Sequence, residues 1–181
     1  WDLPKPAPLS FRIEKENIIW IVTSFLCGFT ALAYEVVWTR ILVFGIGSTV
    51  YSFSLMLANF LFGITVGGLL IVPFFKRNID LRLLLTLFQI GIGSYLIFSI
   101  YQSSWLLSSF IRPLKLENPI TEFWIDMQNV SALMFIPTIL FGMSFPVLTH
   151  LVTRGSENVG SSLGTIYGVN TLGGKIGRAH V

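Results

Sequence analysis

What most constrains this chain is a series of apolar runs, each long enough to cross a bilayer as a helix. Ile18 to Phe44 is apolar apart from Glu35 and Arg40 and stops at Gly45 and Gly47. Ser48 to Phe75 follows and ends at Pro73 and the basic pair Lys76 and Arg77. Leu83 to Ser104 is the third run, about Asn129 to Thr153 the fourth, and a fifth starts near Val159. A hydrocarbon core of roughly 30 Å needs about 20 apolar residues in a helix, so each complete run suffices. Only 12% of the residues are charged and 53% are apolar, against about 25% charged in a soluble domain. The expected fold is therefore all-α: a polytopic transmembrane helical bundle with about five spans, and the lipid bilayer as its main solvent.

The remaining segments divide the chain. Residues 1–16, rich in proline and then charged, read as a juxtamembrane linker. Residues 17–174 form a multi-pass membrane domain, expected to be truncated. Trp105 to Gln128 mixes Arg112, Pro113, Lys115, Glu117, Pro119, Glu122 and Asp126 with Phe123 and Trp124, which predicts a loop with a short interfacial helix and not a span. Tyr101 and Trp105 suit a headgroup boundary. Pro137 and Pro146 are expected to break the fourth span, which lipid tolerates only where neighbours satisfy the freed carbonyls.

Lys and Arg in the short loops predict the orientation. Lys5, Arg12, Lys15, Lys76, Arg77, Arg82 and Arg154 fall on one side; Arg112 and Lys115 fall on the other. This places the N-terminus in the cytoplasm of a cell with the domain in its inner membrane, and leaves Arg40 unexplained. The net charge of +3 is scattered between spans and forms no basic face, so nucleic acid is not an expected partner. Cys27, the single cysteine, excludes an intramolecular disulfide or a cysteine metal cluster.

Residues 175–181, Lys-Ile-Gly-Arg-Ala-His-Val, have a separate reading. As codons, AAG ATC GGA AGA GCA CAC GTC is the start of a widely used short-read sequencing adapter. The segment is expected to be read-through past a gene fragment, outside any reasoning about fold.

The candidate intramembrane polar site is Glu35, Arg40 and Asn170. Ionisable groups inside a span cost about 2.5–3.5 kcal/mol on insertion scales unless paired or hydrated. Glu35 and Arg40, five positions apart, lie about 140° apart round a helix, so each needs a partner on another helix or a reach to the interface. Asn170 is a candidate hydrogen-bond partner for Glu35. The competing reading is a structural ion pair or snorkelling. Gly63 and Gly67, with Gly68, form a small-residue face for close helix packing. Pro146 in FGMSFPVL marks a kink, either of packing or of a broken-helix binding site. Gly160, Gly164, Gly168 and Gly173 read as a second packing stripe, and His150 as an interfacial residue. No catalytic set, metal spacing or phosphate loop is visible in the sequence.

Four segments, GFTALAYEVVWTR (Gly28–Arg40), GSTVYSFSLMLANFLFGITVGG (Gly47–Gly68), PTILFGMSFPVLTHL (Pro137–Leu151) and VGSSLGTIYGVNTLGG (Val159–Gly174), resemble the N-terminal membrane domain of bacterial fused major-facilitator/spermidine-synthase-like proteins. The resemblance departs at Lys175. It implies a C-terminal soluble partner domain that binds decarboxylated S-adenosylmethionine and transfers an aminopropyl group to putrescine. That domain is not in this sequence, so the fragment itself has no catalytic site and no cofactor, and enzymatic activity would belong to the parent protein. A polyamine is the implied candidate ligand, with Glu35 its anionic contact. The alternatives are a major-facilitator-like transporter of a small solute without an enzymatic half, and a membrane anchor whose charges are purely structural.

Overall fold

The computed structural model describes residues 15–110, 118–154 and 159–180, with side chains for 18–101, 118–154 and 159–180. All regular structure among them is helical: α1 (Lys15–Ile46), α2 (Thr49–Leu70), a 3₁₀ turn (Val72–Lys76), α3 (Leu81–Phe110), α4 (Pro119–Thr153) and α5 (Val159–Ala179). The first four helices are long and apolar enough to cross a membrane. Their outward surface is apolar, with Phe44, Leu69, Ile97 and Ile100 all more than two-thirds exposed. Water does not tolerate such a surface; acyl chains do.

Local chemistry sets the boundaries. Gly47, at φ +78°, adopts a left-handed conformation that a residue with a Cβ resists, and this turns α1 into α2. Pro73 follows the end of α2, and the chain tightens into the 3₁₀ turn. The Asp80 carboxylate accepts the Arg82 N–H at 2.9 Å at the start of α3. Asn118 caps α4 by accepting the Ile120 N–H at 3.0 Å, with Pro119 in the first turn.

The helices depart from the sequence-based expectation in two places. The stretch expected to be a loop is mostly helix: α3 runs on to Phe110, and α4 starts at Pro119, ten residues before the expected span. Arg112, Pro113, Lys115 and Glu117 lie outside the described residues, as do Lys5 and Arg12 of the linker. Polar residues such as Glu122 and Asp126 are tolerated because α4, at 35 residues, is about 52 Å long and outreaches the hydrocarbon core. Nor do Pro137 and Pro146 break α4, which is continuous through both.

The cross-helix contacts give the topology. Ser24 with Ile166 and Gly28 with Asn170 put α5 parallel to α1, whereas Gln89 with Ser144 and Tyr95 with Ala132 put α3 antiparallel to α4. The most extensive pairings are α1 with α5 and α2 with α4. One core cluster, around Tyr34, Trp38, Met56, Phe60 and Met134, fills one half of the bundle. A second, around Ile71, Leu85, Leu148 and Ile166, joins the start of α1, the end of α2, the start of α3, the end of α4 and the first half of α5. There Arg82 lies over the Trp20 ring, 5.9 Å from its centroid.

The two major pairings are copies of one another. A Cβ on Gly67 of α2 would collide with the Ile139 carbonyl of α4, and one on Gly173 of α5 with the Phe25 carbonyl of α1. Reciprocally, Gly142 lies against the Ile64 carbonyl and Gly28 against the Asn170 carbonyl. Phe25/Ile139 and Gly28/Gly142 are both 114 positions apart; Ile64/Asn170 and Gly67/Gly173 are both 106 apart. Extending these registers aligns SFLCGFTALAYEVVWTR (Ser24–Arg40) with TILFGMSFPVLTHLVTR (Thr138–Arg154), sharing Leu26/Leu140, Gly28/Gly142, Thr39/Thr153 and Arg40/Arg154. It also aligns ITVGG (Ile64–Gly68) with NTLGG (Asn170–Gly174). Because α1 and α4 run in opposite directions, α1–α2 and α4–α5 form an inverted repeat about a pseudo-twofold axis in the membrane plane.

Candidate functional site

The repeat places the expected glycines. Gly63 packs against the Thr138 side chain and Gly67 against the α4 backbone, while Gly68 faces open space. On α5 the close approach is made by Gly173, Gly174 and Gly177, whereas Gly160, Gly164 and Gly168 meet nothing within 4 Å. The stripe expected at intervals of four or five is thus used only at its C-terminal end. A stripe drawn from spacing alone cannot show which part of it meets a partner.

The three candidate polar residues are not gathered at one point. Asn170 is opposite Gly28, seven positions and so about 10 Å along α1 from Glu35. Glu35 is partly buried, and Arg40 is exposed on another face of α1. Arg178, in the segment with the separate coding explanation, lies within Coulomb range of Glu35. Lys175, in the same segment, stands opposite apolar Leu69 in the repeat register. The repeat supplies the reading that loop charges did not: Arg40 is the counterpart of Arg154, which ends α4. His150 is exposed and packs its ring 5.0 Å from that of Phe75.

A ladder of polar contacts instead follows the inner face of α4. Near its start, the Tyr51 hydroxyl donates to Asp126 Oδ2 at 3.4 Å. Two turns of α2 further on, buried Asn59 accepts the Ser131 hydroxyl at 2.6 Å; its amide donates to the Leu55 carbonyl at 3.0 Å and to Met127 Sδ at 3.3 Å. Ser131 also edges an open groove of about 560 Å³ along α4, together with Trp124, Gln128 and Phe135.

The next rung answers the problem posed by proline. Pro137 has no N–H, so the Leu133 carbonyl loses its partner within the helix. The Tyr34 hydroxyl of α1 donates to that carbonyl at 2.9 Å, in a fully buried setting. One residue earlier, the Ala132 carbonyl accepts the Tyr95 hydroxyl of α3. Two neighbouring helices thereby hold the backbone where α4 is weakest. Deeper still, the Gln89 amide donates to both Ser144 Oγ and Cys27 Sγ at 3.3 Å, joining α3, α4 and α1. Around Pro146, the Thr149 hydroxyl donates to the Pro146 carbonyl at 2.9 Å.

Sequence reasoning passed over Tyr34, Gln89 and Ser131. A signal existed for Tyr34, since a proline in a buried span requires a donor from another helix. For Asp126, the Asn118–Pro119 helix start was the missed cue. This ladder can bind and orient polar groups through hydroxyls, amides and carbonyls. Among the described residues, no three His, Cys, Asp or Glu side chains approach one another closely enough to hold a metal ion. No family model, curated protein or solved structure matches the chain.

Proposed function

We propose that this chain is a solute-moving membrane domain, organised like the fused major-facilitator/spermidine-synthase-like proteins it resembles, with a polyamine-class cation as its solute. The observation that carries the reading is the inverted repeat, an architecture on which many secondary transporters are built. A partly buried carboxylate on α1, Glu35, supports a cationic solute, because an ionisable group inside a span is by default a candidate for a substrate contact. In this reading the domain lies in the inner membrane with its N-terminus in the cytoplasm. The gathering of the α1 start, the α2–α3 turn and the C-terminal part of α4 at one end of the bundle supports that orientation. Any aminopropyl transfer belongs to a soluble partner domain that the solute would reach or leave.

The test is uptake of labelled putrescine and spermidine into vesicles holding the wild-type chain, Glu35→Gln or Glu35→Asp. Transport above empty vesicles that Gln abolishes and Asp retains in part, with equal insertion of all three, is the expected result. Uptake unchanged by Gln removes Glu35 from the path. Background uptake by every form, with correct insertion, favours the anchor.

A further inference from the structure

The inverted repeat is unequal. The first unit has three helices, and its third, α3, packs on α4. That contact has a defined footprint: Gly91 lies against Leu140, the Tyr95 hydroxyl reaches the Ala132 carbonyl, and the Gln89 amide reaches Ser144, which is 1% exposed. The repeat register transfers the footprint to α1, where the counterparts of Ala132, Leu140 and Ser144 are Ile18, Leu26 and Thr30. On α1 the same face is open. Leu26 is 52% exposed where Leu140 is partly buried, and Thr30 is partly exposed where Ser144 is buried; Ile18 and Val22 are exposed in the same way as their counterparts Ala132 and Ile136. Thr30, the counterpart of the buried serine, turns its hydroxyl back to the Leu26 carbonyl at 2.8 Å. The stretch that α3 covers at Leu140 and Ser144 in one unit is uncovered at Leu26 and Thr30 in the other.

We propose that this face of α1 is the docking site of a sixth membrane helix, joined after α5 as α3 is joined after α2. The molecule itself shows what fits there, because α3 already covers Leu140 and Ser144, the equivalents on α4 of Leu26 and Thr30. The sixth helix runs antiparallel to α1, places a small residue against Leu26, and carries a side-chain donor at the level of Thr30. Apolar complementarity alone adds little inside a bilayer, where lipid is as apolar as leucine. Close approach at the small residue and the hydrogen bond to Thr30 supply the selectivity. The inference depends on the repeat and not on which solute the domain moves.

The experiment places a photo-activated benzophenone side chain at Val22, at Leu26 and, as a control on another exposed face, at Leu61, in the protein expressed from its complete gene in native membranes. Cross-linked peptides are then mapped. Val22 and Leu26 are expected to capture a segment of the same polypeptide C-terminal to α5, at least tenfold above Leu61. The proposal is overturned by capture of lipid alone, of the same face in a second copy, of a separate protein, or of residues within α1–α5. Equal capture of that segment at Leu61 also overturns it. Transport measurements on the same labelled proteins separate a failure here from a failure of the transport reading.

Discussion

Tyr34 and Pro137 form a pair whose energetics can be worked from their contacts. Tyr34→Phe keeps the ring that packs against Trp38 and Phe141, at centroid distances of 5.9 and 6.2 Å, and removes only the hydroxyl. The Leu133 carbonyl is then buried with no donor from Pro137 or from α1. Hydrogen bonds between membrane helices average about 0.6 kcal/mol and reach about 1.7. A buried carbonyl left unsatisfied costs about 1–3 kcal/mol. The expected loss is therefore about 1–2 kcal/mol, or roughly five- to thirtyfold in the folded fraction. Pro137→Ala restores an N–H four residues after Leu133, so the carbonyl regains a partner within the helix. In that background Tyr34→Phe is expected to cost less than about 0.5 kcal/mol, giving a coupling of about 1 kcal/mol between the two positions. Unfolding of the four proteins in mixed micelles titrated with SDS, followed by helicity, measures the cycle. Equal cost of Tyr34→Phe in both backgrounds would refute the idea that the tyrosine stands in for the missing proline donor.

The repeat predicts matched sensitivities at the glycines. Gly67→Ala and Gly173→Ala each drive a Cβ into a facing backbone carbonyl and are expected to lose about 1–3 kcal/mol in the same titration. Gly68→Ala, where nothing lies within 4 Å, is expected to be neutral or to gain up to about 1 kcal/mol from helix propensity; equal losses at Gly67 and Gly68 would contradict the packing. A double-mutant cycle of Asn59→Ala and Ser131→Ala is expected to show a coupling of about 0.6–1.7 kcal/mol. Strict additivity would mean that the 2.6 Å contact between them contributes nothing.

Much of the architecture is legible without coordinates because the bilayer imposes a coarse rule. Backbone groups in hydrocarbon must be satisfied within the segment, so long apolar runs become helices, and composition places the starts of α1 to α3 to within three residues while missing the ends of α2 and α3 by five and six. The rule fails at Trp105 to Gln128, where charge density was read as loop. A helix that outreaches the core can carry Glu122 and Asp126 without cost, and the decisive cue was the local Asn118–Pro119 start. Likewise, glycines announce close packing, but spacing cannot choose between Gly68 and Gly67, or between Gly164 and Gly173.

The sequence by itself determined that this chain is a helical membrane protein, where its apolar spans lie, and that proline in the fourth span demands donors from outside it. Tertiary structure alone decided which side chains answer that demand: Tyr34 is 99 positions from the carbonyl it satisfies. It also revealed the inverted repeat. The two halves share few identities, and their registers differ, at 114 positions for α1 and α4 and 106 for α2 and α5, because α1 runs 18 residues past Gly28 where α4 runs 11 past Gly142, and α2 starts 18 residues before Gly67 where α5 starts 14 before Gly173. No single offset exposes such a relation. It becomes visible when glycines in two helix pairs meet equivalent backbone carbonyls, since close approach depends on three-dimensional register rather than on distance along the chain.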